Sequence, residues 1–235
     1  MSEIQDITAT QDSPEAPEPA GRRGPRLKRK ADEVFRGLWA SLFYSGRTTG
    51  KSVLICSSDR REGSSTVACG LAVAGSEPAG VSRIALVDMN LRKPKLHKML
   101  HVKASPGVAN ALLNGSAPEQ AIQRISPSLD VYAAGDVGGR ELQILRSENL
   151  ERFLRDLASA YDHVLIDAAP VNHFPDAQVL ARHIKDVVLV AHTQRTPREA
   201  VAQARKRIEA AGAKVAGLVL NRRTYPIPRF LYRRV

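Results

Sequence analysis

The sequence has few cysteines and no long apolar run. Its two cysteines, Cys56 and Cys69, both lie in apolar segments, with no CxxC spacing and no neighbouring histidine. This pattern argues against a disulfide framework or a cysteine metal site and predicts two buried thiols. No segment approaches the roughly 18 unbroken apolar residues of a membrane-spanning helix, and the N-terminal segment has no basic-then-apolar signal pattern. We therefore expect a cytoplasmic protein.

Acidic residues are outnumbered by basic ones, 24 to 35, which gives a formal net charge of +11. Much of the excess lies in two clusters that flank the apolar part of the chain: Arg22, Arg23, Arg26, Lys28, Arg29 and Lys30, and Arg222, Arg223, Arg229, Arg233 and Arg234. Such clusters favour an anionic surface and predict a protein held against an anionic cytoplasmic leaflet. The alternative is a pair of solvated tails with no partner. Nucleic acid is less favoured than a membrane because neither cluster is interleaved with aromatic residues that stack on bases, apart from Tyr225, Phe230 and Tyr232.

Composition divides the chain into three parts. Residues 1–30 are rich in Pro, Glu, Ser and then Arg and Lys, which predicts a disordered tail that carries the first basic cluster. Residues 31–224 have the apolar content of one folded domain, and its first segment, ADEVFRGLWASLFYSG, predicts a helix with a broad apolar face. Residues 225–235 form a second basic tail that contains tyrosines.

Six short apolar runs alternate with segments of helical periodicity. The runs are SVLIC, RIALVD, LDVYAAG, HVLID, DVVLVA and VAGLVLN. Strands that are apolar throughout and separated by helices predict an α/β fold, a doubly wound and mostly parallel sheet with helices on both faces. The last crossover helix has strong boundary signals: Thr196 as N-cap, Pro197 in the first turn, Glu199 in a capping box and Gly212 as the stop.

The loop after the first strand has the position of a phosphate-binding loop. Helix N-termini at the carboxyl ends of such strands bind phosphate. On a GxxxxGK[ST] frame, Ser58 and Gly63 take the two glycine positions, Ser65 the magnesium-binding hydroxyl, and Ser64 the lysine position. A lysine ammonium in contact with a phosphate oxygen would contribute about 4 kcal/mol at an effective dielectric near 20, and the serine at position 64 cannot make this contribution. Arg60 and Arg61 are candidates to replace the lysine.

Two aspartates follow later strands. Asp88 ends RIALVD and Asp167 ends HVLID, at the strand tips where carboxylates hold magnesium and water beside a phosphate chain. Each alone has an ordinary explanation, since an aspartate after a buried strand often caps the next helix. The coincidence of the loop and both strand tips favours a nucleotide site.

The sequence resembles the bacterial tyrosine kinase (BY-kinase) family, P-loop NTPase-like proteins of capsule and exopolysaccharide synthesis. The resemblance runs from about Glu33 to Arg222. The most specific piece is DMNLRKPKLH, similar to the family's DxDxRxPxxH motif, and SPGVANALLNG, YDHVLIDAAPV, PDAQVLA and GLVLNR follow in the same order. The resemblance implies that the partner is an inner-membrane polysaccharide co-polymerase of the chain-length type, which would place this protein at the periphery of the inner membrane. It also implies a possible self-oligomer.

The resemblance also implies site residues, with ATP and Mg²⁺ as possible cofactors. They are Gly63, Ser64, Ser65 and Thr66 in the nucleotide loop, Asp88 and Asp167 in catalysis, Ser65, Asp88 and Asp167 at the metal, and Asn221 and Arg222 at the adenine. Further implied residues are Tyr225 and Tyr232 as phosphoacceptors and Glu33 and Arg36 in oligomerisation.

Several positions depart from the family pattern. The PGxGKS loop reads RREGSS, which replaces a glycine by Arg61 and the lysine by Ser64; the second acid of DxDxRxPxxH is Asn90; and Trp39 replaces the last arginine of the oligomerising ExxRxxR string. These changes remove a cation and a potential metal ligand. We therefore predict a catalytically impaired regulatory or scaffolding component of exopolysaccharide synthesis and export. The alternatives are an active tyrosine autokinase that uses Arg60 or Arg61, and a positioning ATPase of the deviant-Walker class.

Overall fold

The structure, a computed structural model, describes residues 29–77 and 82–222. These residues form one seven-stranded sheet in the order β3-β4-β2-β5-β1-β6-β7. The strands are β1 (Ser52–Ser57), β2 (Ile84–Met89), β3 (Ile122–Ser126), β4 (Leu129–Tyr132), β5 (His163–Ala168), β6 (Asp186–His192) and β7 (Lys214–Asn221). All neighbours are parallel except β3 and β4. The doubly wound, mostly parallel α/β fold is confirmed.

Eight α-helices accompany the strands in the described part of the chain. They are α1 (Arg29–Trp39), α2 (Ser64–Gly75), α3 (Leu96–Met99), α4 (Val108–Asn114), α5 (Glu141–Leu145), α6 (Asn149–Ala160), α7 (Asp176–Ala181) and α8 (Arg198–Ala210). A π-helical turn, Ala40–Tyr44, continues α1, and a 3₁₀ turn, Pro118–Ala121, precedes β3. None of the helices in the described ranges is long and apolar enough to cross a membrane.

The helices cover both faces of the sheet and bury two apolar clusters. On one face α1, α2 and α3 pack on Val53 and Ile55 of β1; on the other, α4 to α8 pack on Leu54 and Cys56. Alternate residues of one strand therefore enter opposite cores, as the pleat requires. Because both faces are covered, the strand reads as one continuous apolar run. Cys56 and Cys69 are both buried, as predicted.

Helix α1 lies close against α2 because two glycines of α2 leave room for aromatic rings. A Cβ placed on Gly70 would lie 2.4 Å from the Phe35 ring, and one on Gly75 would lie 2.4 Å from the Trp39 ring. Trp39 is only 4% exposed and its ring also contacts Phe43, with centroids 4.3 Å apart. Trp39 is thus a core residue, and the apolar face predicted for this first helix is confirmed.

Two details differ from the sequence predictions. Strand β3 was not among the six predicted strands; it is a half-exposed edge strand, antiparallel to β4, with a register shift between Arg124 and Ser126. Helix α8 begins after Pro197, with no side-chain cap. The Thr196 hydroxyl instead donates to a carboxylate oxygen of Glu62 and accepts the backbone N–H of His192 at 2.9 Å. Gly212, with φ +89°, follows the helix as predicted.

Candidate functional site

The loop between β1 and α2 has a backbone that suits glycine at two positions. Gly63 has φ +95° and is the residue before α2, and a Cβ there would lie 2.3 Å from Nδ2 of Asn221. Arg61 has φ +64°, a left-handed conformation that is uncommon outside glycine. The resemblance aligns Arg61 with a glycine of the family loop. Arg61 therefore has a backbone conformation that glycine adopts more readily than other residues do.

Ser65 and Asp167 meet at the carboxyl edge of the sheet. The Ser65 hydroxyl donates to Oδ2 of Asp167 at 2.5 Å, and Asp167 is fully buried. Asp167 of β5 is in register with Asp88 of β2, on strands roughly 4.8 Å apart. Burial, and then the charge of Asp88, raises the pKa of Asp167, while the hydroxyls of Ser65 and Ser64 and the charge of Lys95 lower it. This pair of buried carboxyls favours an added cation.

Asp88 holds the loop that follows β2. Its Oδ2 accepts the backbone N–H groups of Lys95 and Leu96, both at 3.0 Å, and its Oδ1 accepts that of Asn90 at 3.2 Å. Burial raises the pKa of Asp88, and these three N–H groups oppose the rise. The carboxylate therefore caps the start of α3 in this structure, the ordinary role that sequence alone also allowed. Its predicted role as base or metal ligand stays a prediction.

Removal of this cap is expected to destabilise the protein moderately. Asp88→Ala should lower the free energy of unfolding by about 1–2 kcal/mol, as for other lost helix caps, whereas Asp88→Asn keeps an acceptor oxygen and should lose less. Urea titration of both variants measures the difference. Equal stability of Asp88→Ala and the wild type would contradict a capping role for this carboxylate.

A cavity of about 320 Å³ opens beside the phosphate loop and is strongly basic. Its lining contains no aspartate or glutamate and comprises Ser57, Arg60, Arg61, Gly63, Ser64, Asn90, Arg92, Lys93, Lys95, Pro170 and Phe174. Five cationic side chains around one small cavity create a positive potential that suits an anion. Arg60 and Arg61, the predicted candidates for the missing charge, both line it.

Arg92 and Phe174 form the far wall of this cavity. The Arg92 guanidinium donates to both carboxylate oxygens of Asp176, at 3.0 and 3.2 Å, and lies 5.0 Å from the centroid of the Phe174 ring. Arg60 lies over the same ring at 5.3 Å. The buried Asp176 and the ring thus fix Arg92 in place. The two sequence segments DMNLRKPKLH and PDAQVLA, which carry much of the resemblance, therefore meet at this ion pair.

Glu62 joins the phosphate loop to the ends of β6 and β7. It is 3% exposed, and its carboxylate accepts the backbone N–H of Asp59 at 2.8 Å and the hydroxyl of Thr196. Its backbone carbonyl accepts Nδ2 of Asn221 at 2.8 Å. Asn221, predicted at the adenine end, therefore contacts the phosphate loop itself. The two contacts to the Glu62 carboxylate have a charged acceptor, which makes them stronger than hydrogen bonds between neutral groups.

Buried oxygen atoms that accept no hydrogen bond indicate whether the site could hold a metal ion. In the described part of the chain, Oδ1 of Asp167 and Oδ1 of Asn90 are buried with no hydrogen-bond donor. Oxygen acceptors beside a serine hydroxyl suit Mg²⁺, which keeps several of its waters and takes one or two carboxylates. No cluster of three or more His, Cys, Asp or Glu side chains able to hold a metal occurs in the described ranges. Ser65 and Asp167 would hold the ion together with phosphate oxygens.

The remaining predicted residues lie next to the loop contacts, on α1, or outside the described residues. Thr66 is exposed in the first turn of α2, and Arg222 follows β7 with φ +56°. Glu33 is exposed on α1, and Arg36 pairs there with Asp32 and Glu77. The basic tails, with Tyr225 and Tyr232, lie outside the described residues except for Arg29, Lys30 and Arg222.

Comparison with known proteins decides the family. No family model matches the chain. A putative tyrosine-protein kinase CapB of Staphylococcus aureus is 29% identical over 197 residues, 83% of this chain and 86% of that protein. The tyrosine-protein kinase YwqD of Bacillus subtilis (strain 168) is 31% identical over 172 residues, 73% of this chain and 72% of that protein. The chain belongs to the bacterial tyrosine kinase family.

A solved structure agrees with this assignment. The crystal structure of the chimerical protein CapA2B2 matches this bacterial tyrosine kinase family member with a TM-score of 0.75 and 31% identity, over 82% of this chain and 85% of that one. The predicted resemblance is therefore confirmed. The role of each site residue remains a prediction from geometry and from the family motifs.

Sequence reasoning missed part of the site in this family member. Lys95 and Phe174 line the cavity, and Glu62 ties the phosphate loop to Thr196 in the segment between β6 and α8, yet none of these residues was predicted as functional. For Lys95 a signal existed, since the basic run RKPK directly follows the tip of β2. For Glu62 and Phe174 none existed, because their roles arise from contacts between segments distant in sequence.

Proposed function

We propose that this chain is a nucleotide-binding regulatory component of an exopolysaccharide synthesis and export system, in which Mg·ATP binds but phosphoryl transfer is slow. The observation that carries the proposal is the Ser65–Asp167 hydrogen bond at the carboxyl edge of the sheet, directly after Gly63 and Ser64, which line the basic cavity. Bound Mg²⁺ would neutralise phosphate charge there. The chain supplies the loop backbone, the Ser65 hydroxyl and the Asp167 carboxylate.

Slow transfer follows from Ser64. A lysine at this position would begin α2 and stay beside the terminal phosphate through the reaction, whereas a serine hydroxyl offers no charge. If the missing contact were made mostly in the transition state, its loss of about 4 kcal/mol would lower the rate roughly a thousandfold. Cations from other loops can bind the phosphate in the ground state without binding it more tightly in the transition state, and such binding does not accelerate phosphoryl transfer.

A tyrosine autokinase is the second candidate. Five basic side chains line the cavity, and Arg60 and Arg61 come from the phosphate loop itself. A guanidinium that reaches the terminal phosphate would supply the transition-state charge that Ser64 lacks. In that case Tyr225 and Tyr232 would be the acceptors.

Nucleotide binding and autophosphorylation separate these candidates. We expect the full chain to bind ATP in the presence of Mg²⁺, to bind it more weakly with EDTA, and to incorporate little phosphate on tyrosine. Calorimetry measures binding, and phosphotyrosine mapping measures transfer. Rapid labelling of Tyr225 or Tyr232 would favour the autokinase, and the absence of ATP binding would refute the proposal.

Asp167→Asn is the matched control for the metal. Because burial and the Asp88 charge raise the pKa of Asp167, the neutral amide should fold as well as the wild type. The amide lacks the negative charge that attracts Mg²⁺. We therefore expect Asp167→Asn to melt at the wild-type temperature and to lose the difference between Mg²⁺ and EDTA.

The proposed location is the cytoplasmic side of the inner membrane, with a polysaccharide co-polymerase of the chain-length type as partner. Support comes from the family assignment and from the two basic clusters, whose attraction to anionic lipid is about 1 kcal/mol per residue near the surface. Sedimentation with vesicles that contain anionic lipid, at low and high salt, tests the membrane contact. Co-purification with the membrane protein tests the partner.

A further inference from the structure

The contacts of the three arginines around the cavity limit which of them can reach a phosphate. Arg92 is held by Asp176 at 3.0 Å and lies 3.8 Å from Glu141. Arg60 is stacked on Phe174. Arg61 also lines a second cavity, of about 360 Å³, on the side of the phosphate loop that faces His192 and Arg195. These arginines are therefore engaged or shared with another surface.

Among the described residues, Lys95 differs from Arg92 because its ammonium forms no salt bridge, and from Lys93 because its backbone N–H is bound to the Asp88 carboxylate rather than to the Asn90 carbonyl. Its N–H is bound to Asp88 at 3.0 Å, and Asp88 is in register with Asp167. The residue thus lies across the strand tips from Ser65, which donates to Asp167. Within the described ranges no carboxylate forms a salt bridge with the Lys95 ammonium, in contrast to Arg92.

The lining of the cavity agrees with this placement. Lys95 lines the same cavity as Gly63 and Ser64 of the phosphate loop. A four-carbon stem with a compact charge is suited to reach from the loop after β2 toward the start of α2.

We propose that Lys95 supplies the positive charge for the terminal phosphates of the nucleotide, in place of a lysine at position 64. In this arrangement the charge comes from the loop after β2 instead of from the phosphate loop, and Asp88 holds the backbone of Lys95 there. This inference rests on the proposed function, since it concerns the same site. It adds the residue that recognises the triphosphate end and predicts discrimination among ATP, ADP and AMP.

The test compares nucleotide affinities by calorimetry in the presence of Mg²⁺. Lys95→Met should weaken ATP binding by at least about tenfold, the value expected for a lost hydrogen bond to a charged group. AMP, which lacks the terminal phosphates, should lose less than about twofold, and Lys95→Arg should stay within about threefold of the wild type. Lys98→Met, an exposed lysine of α3 outside the cavity lining, is the matched control and should leave all affinities unchanged.

A second variant tests whether the charge can be returned to the phosphate loop. Ser64→Lys in the Lys95→Met background should restore ATP affinity to within about threefold of the wild type. Melting temperatures measured without nucleotide show whether each variant folds. We expect normal folding, because the exposed Lys95 side chain makes no side-chain hydrogen bond with the described residues. A double variant that folds normally but stays weak would contradict the relocation.

The outcomes separate this inference from the proposed function. Wild-type protein that binds ATP, with Lys95→Met binding it equally well, overturns the role of Lys95 and leaves the proposed function standing. An equal loss for ATP and AMP also overturns it, since the charge would then not recognise the terminal phosphates. Wild-type protein that binds no ATP overturns both.

Discussion

Asp186→Ala is expected to lower the free energy of unfolding by about 2–4 kcal/mol, because a carboxylate that accepts several hydrogen bonds is removed. Asp186 begins β6 and is 1% exposed. Its Oδ2 accepts the backbone N–H groups of Thr49 and Gly50 at 2.7 and 3.0 Å, and its Oδ1 lies 3.2 Å from the Lys214 ammonium. It ties the segment before β1 to β6 and β7. Urea unfolding measures the loss.

Asp162→Ala is the control for this prediction. Asp162 is exposed and, among the described residues, accepts the backbone N–H of Arg83 at 2.8 Å, so Asp162→Ala should destabilise the protein clearly less. Because Asp186 is at the opposite end of the strands from Asp88 and Asp167, ATP affinity of the folded variant should not change. A loss no greater than that of Asp162→Ala would contradict the proposed tie.

The stability lost in Asp186→Ala should also depend on pH, and the pKa of Asp186 fixes the direction. Burial raises the pKa of Asp186, but the hydrogen bonds from Gly50, Thr49 and Lys214 together hold it below its ordinary value. The pKa in the folded protein is therefore lower than in the unfolded chain. The stabilisation is complete above the unfolded value, about pH 4, and disappears as the pH falls through the folded value. The difference between wild type and Asp186→Ala should thus be constant from neutral to mildly acidic pH and narrow below about pH 4.

Gly75→Ala is expected to destabilise the protein by about 1–3 kcal/mol, the usual cost of overpacking a core. The new Cβ would lie 2.4 to 2.5 Å from three atoms of the Trp39 ring. That ring cannot easily move, because it is buried and also contacts Phe43 and His163, with centroids 4.3 and 4.9 Å away. The added methyl group should therefore push α1 away from α2. Unfolding monitored by Trp39 fluorescence reports the change.

Gly37→Ala is the control and is expected to increase the stability of the protein instead of lowering it. Gly37 is exposed within α1, and a Cβ there would meet nothing within 4 Å. An alanine in place of an exposed helical glycine stabilises by up to about 1 kcal/mol. A stabilising Gly75→Ala would mean that α1 is not packed on α2 as the structure places it.

The core of the fold was predictable because buried parallel strands are apolar without interruption. All six predicted runs are strands of the sheet. Strand β3 was missed because it lies at the edge and its bulge near Arg124 breaks the alternation of apolar and polar residues. The predicted cap of α8 failed for a different reason: the Thr196 hydroxyl is used by Glu62, from a loop 134 residues away, which no local pattern can show.

The candidate site was predictable only in outline. Ser65, Asp88 and Asp167 converge because the carboxyl ends of parallel strands share one edge. The partner of each group was not predictable, because it depends on strand order: Asp88 binds its own following loop, and Asp167 takes the Ser65 hydroxyl. The basic cavity also escaped prediction, since its cations come from two loops that separate strands bring together. Arg92 is fixed by Asp176, 84 residues later in the chain.

The insertion of β5 between β2 and β1 has a consequence for synthesis on the ribosome. β1 and β2 are not hydrogen-bonded to each other; each pairs with β5. A nascent chain that has emerged only as far as Tyr161 carries Ser65 and Asp88 but lacks the strand that sets them side by side. The segments that carry Ser65 and Asp88 can therefore assemble into one site only after His163–Ala168 has left the exit tunnel.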